Sequence, residues 1–95
     1  MVQWQFDGKG ITVTDALREL VQKKIEKLNH HAPNMQSVHV IFEVHNKVQQ
    51  MAEANITLPG SVLHASAESD DMYKTVDLLV DKLNSQLAKY KDKHH

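Results

Sequence analysis

The sequence predicts an α+β domain of order β-α-β-β-β-α, a four-stranded mixed sheet with two helices packed on one face. Three observations carry this expectation. Four short segments alternate apolar and polar side chains with a period of two. Two longer segments repeat apolar residues every three to four positions, which gives each a stripe wide enough to bury on a sheet. The first strand, first helix and second strand form a unit long enough for a right-handed parallel crossover, whereas the later connections are short and suit an antiparallel meander. A chain of 95 residues has room for a single layer of helices on one sheet, so residues 1–95 are expected to form one domain.

The elements follow in order. Val2-Gln3-Trp4-Gln5-Phe6 alternates strictly, with Val2, Trp4 and Phe6 on one face, as a half-buried strand does. Asp7-Gly8-Lys9-Gly10 is expected to be a turn or loop, since its glycines permit positive φ. Thr14 suits an N-cap, and Asp15 in the first turn complements the helix dipole. Leu17, Leu20, Val21, Ile25 and Leu28 then recur at helical spacing to about Asn29. Pro33 prevents continuation and biases Ala32 away from helical geometry.

Val38, Val40, Phe42 and Val44 alternate with His39, Ile41, Glu43 and His45 in a second strand, which Asn46-Lys47 interrupts. Ala52, Ala54, Ile56 and Leu58 alternate with Met51, Glu53, Asn55 and Thr57 in a third. Pro59-Gly60 is the strongest turn signal in the chain. Leu63, Ala65 and Ala67 oppose His64, Ser66 and Glu68 in a fourth strand, and the small inward alanines leave room for close helices. Ser69 or Asp70 is expected to cap the last helix, whose apolar positions are Met72, Val76, Leu79, Val80, Leu83, Leu87 and Tyr90.

Composition narrows the function classes. Hydrophobic residues make up 41% and charged residues 24%, the balance of a folded domain rather than a disordered chain. The absence of cysteine excludes disulfides, zinc–thiolate sites and thiol catalysis. No long apolar run exists, and Met1-Val2-Gln3-Trp4 lacks the charged-then-apolar pattern of a signal, so a cytoplasmic protein without membrane contact is expected. The net charge of −1 hides a polarised distribution. Residues 33–69 set Lys47 against Glu43, Glu53 and Glu68, while residues 82–93 set Lys82, Lys89, Lys91 and Lys93 against Asp92.

Lys82, Lys89 and Lys93 lie at i, i+7 and i+11, a single stripe along the second helix that also holds Gln86. On the first helix Arg18, Lys23, Lys24 and Lys27 flank the apolar face, partly neutralised by Glu19 and Glu26. If the helices lie side by side, the two basic sets could border one groove suited to phosphates, because cationic side chains displace the counterions of a polyanion. Solvated helix faces also carry lysine routinely, and Glu19 pairs by spacing with Lys23, so the residues alone leave both readings open.

The remaining constellations point away from chemistry. His30-His31 and His94-His95 are adjacent pairs, and His39 and His45 are roughly 20 Å apart along a strand, so no pair has metal-ligand spacing. His64 reads as a surface histidine. Asp70 and Asp71 belong at a helix N-terminus, and Asp77 and Asp81 have no nucleophile motif, glycine-rich loop or cleft beside them. No enzyme activity, metal or cofactor is therefore expected. Trp4, Tyr73 and Tyr90 are too scattered for a base-stacking platform, and Trp4 reads as a core residue. Two rival readings remain: a protein–protein module using His39, Glu43, His45, Glu53 and His64 on the open sheet face, and a small metal-dependent enzyme.

Several stretches carry a family resemblance. Thr14-Asp15-Ala16-Leu17-Arg18, Val38-His39-Val40, His64-Ala65-Ser66-Ala67-Glu68, Asp71-Met72-Tyr73, Asp77, Asp81-Lys82-Leu83 and Lys89-Tyr90-Lys91-Asp92-Lys93 resemble the ribosome hibernation promoting factor family in order and over essentially the whole chain. The stretch through Asp71-Met72-Tyr73 is the most specific. The resemblance implies the same β-α-β-β-β-α fold and a bacterial stationary-phase or stress protein that inhibits translation. It implies binding to the small ribosomal subunit in the channel for messenger and transfer RNA, at the A and P sites. Contacts to 16S ribosomal RNA, beside nearby ribosomal proteins, would come from Lys82, Lys89, Lys91, Lys93, Arg18, Lys23, Lys24, Lys27 and Gln86. Because the chain ends soon after its second helix, it resembles the short form, which acts with a separate ribosome modulation factor to pair inactive ribosomes.

Overall fold

The structure, a computed structural model, describes residues 2–28 and 34–93, with side chains through Tyr90. Its elements are β1 (Gln3–Lys9), α1 (Asp15–Leu28), β2 (Ser37–Asn46), β3 (Gln49–Leu58), β4 (Ser61–Ser69) and α2 (Met72–Lys93). The strands lie in the sheet in chain order, with β1 parallel to β2 and the β2–β3 and β3–β4 pairs antiparallel. The expected β-α-β-β-β-α mixed sheet is therefore the observed one. The expected helix stop at residues 29–33, and His30, His31, His94 and His95, lie outside the described residues.

Period-two patterning selects one sheet face for the core. Val38, Val40 and Phe42 from β2, Ala52, Ala54, Ile56 and Leu58 from β3, and Ala65 and Ala67 from β4 are buried. The helices cover them with Leu17, Val21, Ile25 and Leu28 from α1 and Met72, Val76, Leu79, Leu83 and Leu87 from α2. Trp4 and Phe6 are half-buried against this cluster, and Phe6 stacks between Trp4 and Phe42 with centroids 6.0 and 6.5 Å away. Area removed from water on this one face is the main source of stability, at roughly 25 cal/mol per Å² of apolar surface.

The caps and turns fix where each element begins. The Thr14 hydroxyl accepts from the Leu17 amide at 3.2 Å, which satisfies one orphan donor of α1 as the sequence predicts. Pro59 and Gly60 form the two-residue link from β3 to β4, and Gly60 takes φ 72°, the conformation a type II turn requires of its third residue.

Two expectations are corrected. β1 continues through Asp7, Gly8 and Lys9, which pair with Ile41, Phe42 and Glu43, instead of turning at residues 7–10. Pairing along β2 outweighs the low strand propensity of glycine here. The break comes at Gly10, with φ 72° and an approach to the Val44 carbonyl so close that a Cβ would sit 2.4 Å from its oxygen. The second correction concerns the cap of α2, which is Asp71 rather than Ser69 or Asp70. Its carboxylate accepts from the Tyr73 amide at 2.9 Å, and its carbonyl accepts the first helical bond, from the Thr75 amide, at 2.9 Å. Ser69 and Thr75 instead tie the helix start to the sheet: their hydroxyls lie 2.6 Å apart, and Thr75, fully buried, donates to the Gln50 carbonyl of β3 at 2.8 Å.

Candidate nucleic-acid interface

The helix layer presents two borders, and they differ in chemistry. Toward α1, Asp77 of α2 takes an ion pair from Lys24 at 2.8 Å. Asp81 lies one helical turn further along the same flank. Toward β4, the Lys82 ammonium donates to the Ser66 carbonyl at 2.6 Å, and the Gln86 amide donates to the His64 carbonyl at 2.6 Å. Asp77 and Lys82 are five positions apart, roughly 140° around the helix, which is why one flank meets a helix and the other a strand.

This geometry separates residues that the sequence had allowed to meet. The basic stripe of α2 borders the β4 edge, while Lys24 of α1 meets the acidic flank of α2. Lys82 and Gln86 therefore do not share a groove with Lys24. Lys82 and Lys89 are exposed and Gln86 is half-buried in the outer stripe. The side chains of Lys91 and Lys93 lie outside the described residues. On α1, Arg18 pairs with Asp15 one turn earlier, and Lys23 and Lys27 are exposed. Lys23, Lys27 and Lys89 have no ion-pair partner among the described residues, so their charge faces solvent uncompensated.

The uncovered sheet face has the opposite character. His39 lies 2.6 Å from Asp7, His45 lies 3.5 Å from Glu43, and His64 lies 2.6 Å from the Asn55 side chain and 3.3 Å from Glu53. Hydrogen bonds from the His39 ring, and secondarily from the Gln5 amide at 3.1 Å, hold the Asp7 carboxyl below the usual carboxylate range. The five polar residues that the rival protein–protein reading singled out thus share one face, and each has a partner within it. Among the described residues, no group of three or more histidine and acidic side chains is arranged to hold a metal ion.

Sequence patterning missed the two bonds from α2 to β4. Lys82 and Gln86 read as a solvent or phosphate stripe because spacing alone does not reveal an adjacent strand edge. The one available signal was their i, i+4 spacing beside a strand that carries His64, Ser66 and Glu68 on its polar face.

Comparison with known proteins adds the family. The family described as Sigma 54 modulation protein / S30EA ribosomal protein matches residues 4–95. The chain is 44% identical over 92 residues to a ribosome hibernation promoting factor of Azotobacter vinelandii, covering 97% of this chain and 85% of that protein. It is 40% identical over 92 residues to the protein of that name from Escherichia coli K12, covering 97% and 96%. Among solved structures it is similar to a ribosomal subunit interface protein from Coxiella burnetii, with TM-score 0.88, 47% identity and coverage of 97% and 99%. It also resembles the N-terminal domain of Thermus thermophilus Protein Y, with TM-score 0.86, 28% identity and coverage of 95% and 99%. With the fold and the matched length in agreement, the chain belongs to the Sigma 54 modulation protein / S30EA ribosomal protein family, that of the ribosome hibernation promoting factors.

Proposed function

We propose that this chain is a ribosome hibernation factor, a non-catalytic module that binds the small ribosomal subunit in the cytoplasm and blocks translation by occupying space. The observation that carries the reading is the near-complete overlap, 97% of this chain, with relatives bearing that name. Its finer form has the protein in the messenger and transfer RNA channel at the A and P sites, where it promotes inactive ribosome dimers together with a ribosome modulation factor. Lys82, Lys89, Lys91 and Lys93 contact 16S ribosomal RNA phosphates, with Gln86 as a polar contact. Arg18, Lys23, Lys24 and Lys27 form a second, weaker set on the other border, reduced by the pairing of Lys24 with Asp77 and of Arg18 with Asp15.

Supporting chemistry is the uncompensated charge at Lys23, Lys27 and Lys89 and the clustering of carboxylates on the far sheet face. A polyanion attracts the first and repels the second, which orients the domain as it approaches. Co-sedimentation with ribosomes at two salt concentrations tests the reading. The wild-type protein should travel with small subunits and ribosome dimers at low salt. The Lys82/Lys89/Lys93 triple alanine variant should bind more weakly, and the slope of log affinity against log salt should flatten by about 2–3 as three phosphate contacts are lost. Unchanged co-sedimentation of that variant would remove the outer stripe from the interface, and binding that resists high salt would favour a protein partner on the open sheet face.

A further inference from the structure

Among the described residues β4 is an edge strand: it pairs with β3 on one side and with no strand on the other. An edge of nine residues carries unpaired backbone groups that can template another strand. Ser66 and His64 direct their carbonyls outward along this edge, and those two oxygens accept the Lys82 and Gln86 side chains, each at 2.6 Å. We infer that Lys82 and Gln86 close the β4 edge against strand addition by a second copy of this chain.

The spacing explains why both bonds form together. Lys82 and Gln86 are four helical residues apart, about 6 Å of rise. Ser66 and His64 are two strand residues apart, about 6.8 Å. Helix numbers rise as strand numbers fall, so α2 runs antiparallel to β4 and the two repeats stay in step for one turn. A long side chain from the helix can then reach over the rim of the sheet at each outward carbonyl. The same advance brings Tyr90 level with Val62, whose side chain is 63% exposed, and the Tyr90 hydroxyl donates to the Pro59 carbonyl at 3.2 Å.

A second copy is the occupant this edge excludes, because the edge can pair with itself. Rotation by a two-fold axis sets one β4 antiparallel to the other, an isologous contact that would extend the sheet from four strands to eight. An approaching strand would need its amide donors to reach the Ser66 and His64 oxygens, which the ammonium and the side-chain amide already occupy. Lys82 also brings a charge that a copy of itself across the axis would repel. The polar bonds and the charge thus act in the same direction.

The experiment is sedimentation velocity on the purified chain, without ribosomes, across a wide concentration range. Wild type should remain monomeric. Lys82→Ala/Gln86→Ala should self-associate at least about tenfold more tightly. Adding Ser66→Pro to that variant should restore the monomer, because proline removes an outward amide that β3 does not use. Lys89→Ala removes the same charge without touching an edge bond and should stay monomeric. Circular dichroism confirms that each variant is folded. A folded Lys82→Ala/Gln86→Ala protein that stays monomeric overturns the inference. So does self-association that persists with Ser66→Pro, or that Lys89→Ala alone produces. Since no RNA is present, failure here leaves the ribosome reading standing, and loss of ribosome binding by lysine variants leaves the edge inference standing.

Discussion

The two flanks of α2 belong to one helix and carry charges of opposite effect. The inner flank offers Asp77 to Lys24 of α1, a contact between two side chains. The outer flank offers Lys82 and Gln86 to backbone carbonyls of β4. Pairing with a carboxylate cancels a lysine's charge at a distance, whereas donating to a neutral carbonyl anchors the lysine and leaves its charge intact. Counting lysines therefore overstates the inner border and understates the outer one. The electrostatic surface a polyanion meets depends on which neighbour each helix flank has.

The largest expected effect removes the anchor common to both flanks. Leu83 is fully buried beneath α2, and Leu83→Ala should cost about 2–5 kcal/mol of stability in denaturant unfolding, from lost apolar burial plus the residual cavity. If the flanks depend on the packed helix, ribosome binding should fall with it under conditions where the variant is partly unfolded. A loss well below that range would mean the surrounding side chains collapse into the space, and the two flanks would then be less rigidly placed than their hydrogen bonds suggest.

How much of this was legible in the sequence divides along the same line. Strand faces follow from alternation, so the sequence alone assigns Val38, Val40 and Phe42 inward, where they are buried. Thr14 and the Pro59-Gly60 turn act through their own backbone and hydroxyl chemistry, which is local, and both are where patterning puts them. The cap of α2 was ambiguous because Ser69, Asp70 and Asp71 are all competent. The choice falls to Asp71 because Ser69 still belongs to β4 and its hydroxyl meets Thr75. The extension of β1 through Gly8 depends on β2 being alongside, a non-local fact. The flank assignment of the lysines is non-local too: periodicity puts Lys82 and Gln86 on one stripe but does not say whether that stripe faces α1 or β4.

A charge comparison across the helix sharpens the difference. Asp77→Asn frees Lys24 and removes one negative charge, so ribosome affinity at low salt should rise, by up to about fivefold if the pair is worth the usual upper limit of an exposed ion pair. Lys89→Ala on the outer border should do the opposite and reduce the salt slope by roughly one unit, without changing stability measurably. Equal losses from Lys24→Ala and Lys89→Ala would break the distinction between a compensated and an uncompensated lysine.

The smallest effect is also the most direct measure of the inner flank. Lys24 and Asp77 keep 36% and 63% of their side-chain surface exposed, so water competes for both charges and the pair stays in a high-dielectric setting. A double-mutant cycle of Lys24→Ala and Asp77→Ala, read by denaturant unfolding, should give a coupling of about 0.2–1 kcal/mol that shrinks as salt is added. The bonds of Lys82 and Gln86 to β4 follow a different rule. Their acceptors are neutral carbonyls of a strand edge, so neither bond is an ion pair for salt to screen. The stability lost in Lys82→Ala should therefore change less with ionic strength than the Lys24–Asp77 coupling does. If both decline together with salt, the outer contact is held by long-range attraction to the acidic sheet rather than by its hydrogen bond, and the two flanks of α2 would differ in sign alone.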